Sequence, residues 1–382
     1  MGVKSYLKKA IIKALKPMSA QTDLDSAATQ NIGAAPADAQ ESQQEKIRRT
    51  LEPLLRAQDF AQEAQQARFL RQQSDAVLQT RAVSSDKTDT QPRAAQSSHK
   101  TADIPVVFIC DDHYAIPTCV AITSLLCNKN KDTRYAITVL GRALSEENER
   151  RLRSLGEFVT VLACEGAKNA CYANTHHYVS EAALLKFDIP QLLGQYDKVL
   201  YLDSDVLVLE DLSELYAMQL DNRYAAVARD LLGMYYQFHT RTGVSAYFNS
   251  GVLLLNTRQM RKDRMTAKLF RNKANDPWKL LMDQDTLNVT FAENVVWLHP
   301  RYNLMYANNL ESGWSMEQMA VFYSISTQDM QETMLRPVIQ HLSSKIKPWD
   351  NPIAEKYQDY QAYKTLFDRL LELHNRSANP KP

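Results

Sequence analysis

The run DKVLYLDSDVLV, from Asp197 to Val208, limits the fold more than any other stretch of the chain. Val199, Leu200, Tyr201 and Leu202 leave no polar face, so a strand built from them must be covered on both sides. That is the situation of a parallel strand lying under helices. Two carboxylates, Asp203 and Asp205, then stand at its C-terminal end. In open α/β sheets ligands bind at that edge, and two acids so close repel unless a cation or a proton lies between them. A divalent metal is the natural guest.

Segments of two periods alternate around this run. IPVVFIC, YAITVL and FVTVLAC read as short apolar strands, and IPTCVAITSLL, SEENERRLRSL and SEAALLKFDIPQLL as helices between them. The alternation predicts an α/β fold with a mostly parallel, Rossmann-like sheet flanked by helices. Beyond Asp211 the pattern is less regular. YAAVARD, YFNSGVLLLN, a basic helix around Arg258 to Lys273 and a segment ending in PVIQHL predict a mixed second half. No GxGxxG and no GxxxxGK[ST] occurs, so neither a dinucleotide fingerprint nor a Walker loop is supported.

The flanks differ in kind. Residues 19–103 are rich in Gln, Ala, Ser and Asp and too poor in β-branched and aromatic residues to bury a core. One helix is expected there, from Glu41 to Thr80, followed by a polar linker, so the ordered domain is expected to begin near Ile104. Residues 1–18 place Val3, Leu7, Ala10, Ile11, Ala14, Leu15 and Met18 at helical spacing among five lysines and no acid. Such a helix suits an anionic membrane surface, and it equally suits packing on its own protein. At the other end, Ile353, Tyr357, Tyr360, Tyr363, Phe367, Leu370 and Leu371 form a helical stripe within residues 351–382, expected to pack on the preceding domain.

Composition removes several classes of function. With 45 basic and 44 acidic side chains the net charge is +1, so no nucleic-acid partner is expected. No apolar run approaches the ~20 residues of a membrane span. Cys110, Cys119, Cys127, Cys164 and Cys171 are odd in number, lack CxxC spacing and mostly sit in apolar runs. They read as reduced thiols of a cytoplasmic protein.

Two metal-using chemistries compete for D-x-D at a strand end. A phosphatase of the haloacid dehalogenase type carries a similar motif, but on the first strand of its domain. Here about a hundred residues of chain with strand and helix patterning come first. A glycosyltransferase instead uses D-x-D to hold a metal on a nucleotide diphosphate. A catalytically inactive nucleotide-sugar-binding scaffold is the non-enzyme alternative.

Several motifs in order decide the matter. FICDDHYAIPTCVAITSLL, KFDIPQLLGQYDKVLYLDSDVLV, YFNSGVLLLN, DQDTLN and HLSSKIKPW together resemble glycosyltransferase family 8, over residues 104–350. The resemblance implies a GT-A fold and a retaining, metal-dependent transfer of glucose or galactose from UDP-glucose or UDP-galactose. The bacterial members of the family that build lipopolysaccharide imply a saccharide acceptor, including a lipid-linked one, and a place at the inner face of the membrane.

The resemblance also implies a site, residue by residue. Asp111 would accept from the uracil N3–H and Tyr114 would stack on the base, joined by the Ile109 backbone and the His113 side chain, while Cys110 and Asp112 face the protein. Asp203, Asp205 and His341 would ligate the metal, Mn²⁺ ahead of Mg²⁺ because imidazole suits the softer ion. Lys347 would meet the diphosphate as a point charge. Lys186 stands where many relatives carry arginine, and Ser344 replaces a glycine often found in the closing loop. Asp230, Asn249, Asp283 and Gln284 would surround the donor sugar, with Gln284 facing the anomeric carbon and Asp285 the nearest carboxylate alternative.

Overall fold

A computed structural model describes residues 103–164, 181–235, 239, 242–275, 283–305, 313–344, 347–350 and 358–378. The expected helices over residues 1–18 and from Glu41 to Thr80 lie outside the described residues.

Seven strands form the main sheet in the order β3-β2-β1-β4-β7-β6-β8. They are β1 (Ile104–Asp111), β2 (Tyr135–Arg142), β3 (Val159–Ala163), β4 (Val199–Leu202), β6 (Ala225–Arg229), β7 (Phe248–Leu255) and β8 (Val295–Trp297). The four strands from β3 to β4 are mutually parallel; β7 runs antiparallel between β4 and β6, and β6 pairs in parallel with β8. The fold is α/β, parallel in its first half and mixed in its second.

Alternation along the buried strands explains why their runs carry no polar face. Val106, Phe108 and Cys110 of β1, with Leu200 and Leu202 of β4, enter one apolar cluster. Val107 and Ile109, with Val199 and Tyr201, enter the cluster on the opposite side. Helix α1 (Ala115–Asn128) and helix α2 (Glu146–Arg153) connect the first three strands. Burial pushes the Cys110 thiol up to about 12, and Cys119 is buried beside it, so neither presents a reactive thiolate.

Three segments depart from the sequence expectation. SEAALLKFDIPQLL is a tight 3₁₀ turn over Glu181–Asp188 followed by a short helix over Ile189–Leu192, with Pro190 in its first turn. Proline has no amide hydrogen to donate back, so one continuous helix is denied. The basic helix around Arg258 to Lys273 is two helices, α3 (Thr257–Lys262) and α4 (Met265–Asn275), broken where Arg264 takes a positive φ of 53°. In the C-terminal helix, Gln358–Ala378, Tyr360 and Phe367 are buried against the domain but Leu370 is 43% exposed and leaves the stripe. Ile353 and Tyr357 lie outside the described residues.

A second, two-stranded sheet matters most for function. β5 (Val206–Val208) pairs antiparallel with β9 (Ile339–His341), and the register sets Val206 opposite His341. A residue late in the chain is thereby laid against the end of the D-x-D motif.

Candidate active site

β4 ends at Leu202, and the backbone N–H of Asp203 donates to the carbonyl of Gly251 on β7 at 2.8 Å. Asp203 and Asp205 lie on the turn between β4 and β5, and both reach His341. Ser204 turns back, accepting from Thr118 at 2.7 Å and donating to the Ile109 carbonyl at 2.9 Å. The motif is thus stitched to the end of β1. Ile109 is buried, and its carbonyl is already used by this contact.

His341 completes a cluster. Its Nε2 lies 3.2 Å from Asp205 and 3.7 Å from Asp203, and one ligand atom from each of the three residues falls within 4.8 Å of the others. A Cβ built on Gly251 would come within 2.2 Å of the His341 ring and 2.7 Å of an Asp203 oxygen. Only glycine lets the His341 ring and the Asp203 carboxylate pack this close to the backbone of β7. The donor set of two carboxylates and one imidazole fits a divalent metal.

Two lysines balance the acids. Lys347 donates to Asp205 at 2.6 Å and to the Leu342 carbonyl at 2.8 Å. Burial by itself would raise the Asp205 carboxyl, but Lys347 and His341 outweigh it and hold the group well below the usual carboxylate range. Lys186, 4% exposed, donates to Asp283 at 2.6 Å and lies 3.2 Å from Asp203. Burial alone would lower its amine, but the two carboxylates outweigh that and the net shift is upward. Tyr201 donates to Asp203 from below and presents its ring to Lys186 at 4.6 Å.

The residues expected around the donor sugar form one network. Gln284, first residue of helix α5 (Gln284–Phe291), donates to Asp230 at 3.0 Å and accepts from the Ser250 N–H at 3.0 Å and from Asn249 at 3.2 Å. Asp283 occupies the N-cap position but makes no cap bond with its side chain. It faces Lys186 and the Ser250 hydroxyl, 2.8 Å away. Asp285 points elsewhere. It is 3% exposed and accepts from the buried Tyr247 hydroxyl at 2.6 Å.

The turn after β1 forms a looser end. Asp111 accepts from the Tyr114 N–H at 3.1 Å, and Asp112 accepts from the Ser145 N–H at 2.8 Å and from Asn148 at 2.7 Å, which ties it to the start of α2. Those bonds hold the Asp112 carboxyl below its usual range. Tyr114 packs edge-on against His113 and against Trp349 of the closing KPW, each at 5.4 Å. The opening and closing motifs therefore meet at this end. Ser344 is buried in the loop that follows His341.

The structure adds residues that the sequence reading did not single out. Gly251 had a signal, a glycine inside a strand, which often means a close approach. Ser250 and Tyr201 carried none beyond their neighbours. Asn303, 1% exposed and 2.9 Å from His341 Nδ1, lies in RYNLMY, a stretch with no pattern to single it out.

Comparison with known proteins identifies the family and the fold. Residues 105–352 match glycosyl transferase family 8, more than half of the chain, and the chain belongs to that family. It is 26% identical over 272 residues to general stress protein A of Bacillus subtilis, covering 68% of this chain and 93% of that one. It is 28% identical over 263 residues to a lipopolysaccharide 1,2-glucosyltransferase of Escherichia coli, covering 65% and 74%. Among solved structures, the galactosyltransferase LgtC in complex with donor and acceptor sugar analogues is similar at a TM-score of 0.55 and 26% identity, over 73% of this chain and 98% of that one. The fold is GT-A, and the chain is a glycosyltransferase. The phosphatase alternative falls with this match, the acids following the fourth strand in chain order rather than the first.

Proposed function

We propose that the chain transfers glucose or galactose from a UDP-sugar to a saccharide acceptor, with retention of configuration, in the synthesis of bacterial lipopolysaccharide or another surface glycan. The observation that carries the metal-dependent part is the cluster of Asp203, Asp205 and His341, whose close packing against β7 Gly251 permits. A divalent ion, Mn²⁺ ahead of Mg²⁺, would supply the positive charge that stabilises a departing diphosphate. Lys347, already paired with Asp205, would add a second positive charge on that side. At the nucleoside end Asp111, His113 and Tyr114 would take the uracil.

The network around Gln284 supports front-face departure and attack. Its amide oxygen already accepts two hydrogen bonds, and an amide is a weak nucleophile. Asp285 is committed to Tyr247 and buried. Asp230, Asn249 and Asp283 would instead read sugar hydroxyls, since a hydroxyl left unpaired in a buried site costs about 1–3 kcal/mol.

Asp203→Asn and Asp205→Asn test the reading. Each is expected to lower turnover of UDP-glucose or UDP-galactose by roughly a hundredfold or more with Mn²⁺ present, while circular dichroism stays unchanged. Near-normal turnover in either variant would sink it. UDP binding by the intact chain with neither transfer nor hydrolysis on either donor would favour the inactive scaffold instead.

A lipid-linked acceptor would place the enzyme at the inner membrane surface. No helix among the described residues is long and apolar enough to cross a membrane. The amphipathic pattern of residues 1–18, outside the described residues, supports peripheral binding, its five lysines contributing ~1 kcal/mol each near an anionic surface. Deleting Met1 to Met18 should abolish cosedimentation with anionic liposomes; equal sedimentation of the truncated chain would show that the helix is not the anchor.

A further inference from the structure

Behind His341 lies a chain of three amide side chains whose direction can be read from groups that cannot change roles. The Gly251 N–H only donates, so the Asn249 atom 2.9 Å from it is the amide oxygen. The amide nitrogen of Asn249 is then turned to Gln284 Oε1 at 3.2 Å and to Asp230 Oδ2 at 3.5 Å. Both partners confirm that orientation: the Asp230 carboxylate only accepts, and Gln284 Oε1 is identified independently by the Ser250 N–H at 3.0 Å. Asn303 lies 2.9 Å from the same Asn249 oxygen, so it must present its nitrogen there. Its own oxygen is thereby turned to His341 Nδ1, also at 2.9 Å.

An amide oxygen only accepts, so Nδ1 must carry a proton. In the neutral ring Nε2 then keeps its lone pair, on the side of Asp203 and Asp205. A neutral imidazole left to itself can hold its proton on either nitrogen, and the bond made by one nitrogen decides what the other can do. Asn303, Asn249 and His341 are 1%, 8% and 4% exposed, so water does not compete for these bonds.

We propose that Asn303 is a positioning residue for the metal centre: it locks His341 as the Nδ1–H form, making Nε2 the ligand atom, and through Asn249 ties that ring to the amides beside the donor sugar. The proposal rests on the reading of Asp203, Asp205 and His341 as a metal site. Its consequence is that metal affinity depends on an asparagine that touches neither metal nor sugar. Partners of this kind behind metal-bound histidines are worth about 10- to 100-fold in affinity.

The test titrates the full chain with Mn²⁺ alone, in the absence of any sugar nucleotide, and follows the free-ion electron paramagnetic resonance signal. Asn303→Leu keeps the volume but cannot accept from Nδ1, and is expected to weaken Mn²⁺ binding about 10- to 100-fold. Asn303→Asp keeps the acceptor for Nδ1 but loses the donor to Asn249, and is expected to bind Mn²⁺ more weakly than the wild type yet clearly more tightly than Asn303→Leu. Wild-type affinity in Asn303→Leu overturns the proposal, and so does an equal loss in both variants. If the leucine variant does not fold, long-range ¹H–¹⁵N spectra of the wild type with Mg²⁺ decide: a His341 proton on Nδ1 supports the lock, and a proton on Nε2 overturns it. Asp205→Asn separates the two readings. Mn²⁺ affinity unchanged in Asp205→Asn removes the metal site itself and the proposal with it, whereas weakening there beside an unaffected Asn303→Leu removes only the proposal.

Discussion

At the end of the site proposed for sugar and metal, Lys186, Asp230, Asn249, Asp283 and His341 are each less than a tenth exposed and bonded within one network. At the end proposed for the nucleoside, Asp112 and His113 are exposed and Asp111 and Tyr114 half-buried, held by a turn and by ring edges. The difference follows the chemistry proposed for each end. Charge develops at the diphosphate and the anomeric carbon, and fixed dipoles in a dry site stabilise it without reorganising. A planar base needs only a face and one or two hydrogen bonds, so its pocket tolerates slack until the ligand orders it.

Three substitutions would break or sharpen that contrast. Lys186→Met should have the largest effect, because it leaves the buried Asp283 carboxylate without its cation beside the half-buried Asp203. A loss of roughly 3–5 kcal/mol in urea unfolding is expected. A midpoint equal to wild type would show that the buried end is not held by this pair. Asp111→Ala acts at the open end and should cost binding rather than fold. Calorimetric titration with UDP should show affinity weakened by roughly 1–3 kcal/mol. Unchanged affinity would mean that the uracil lies elsewhere.

The smallest effect concerns pH. The Asp112 carboxyl is lowered first by the Ser145 N–H and then by Asn148, so its charged form favours the folded state. That contribution is complete above the unfolded pKa of about 3.9 and disappears as pH falls through the folded value. Because the group is exposed, solvent screening limits it to about 1 kcal/mol or less. Asp112→Asn keeps an acceptor for Ser145 but cannot titrate. Compared at pH 6 and pH 3, the wild type should lose more stability than the variant; equal losses would place the bond outside the folding balance.

Much of the fold was legible because it follows from local periodicity. Apolar residues on both faces of VVFIC and VLYL required strands covered on two sides, and both apolar clusters take their alternate residues from these runs. The helix breaks were less legible. Pro190 was present as a signal, but nothing in the spacing between Arg258 and Lys273 marked the positive φ at Arg264. A left-handed residue other than glycine is set by its surroundings and leaves little trace in composition.

The sequence by itself determined the sheet, its ligand-binding edge and the presence there of Asp203 and Asp205, because these depend on residue periods of two and on the position of acids along one run. Only the tertiary structure decided what those acids meet. His341 reaches Asp205 across 136 positions because β5 and β9 pair in one register, and Lys186 reaches Asp283 across 97 because two distant segments bury opposite charges together. Asn303 shows the limit most clearly. Its role depends on the direction of an amide, which is set by a backbone N–H and a carboxylate brought from elsewhere in the chain, and no local pattern records that direction.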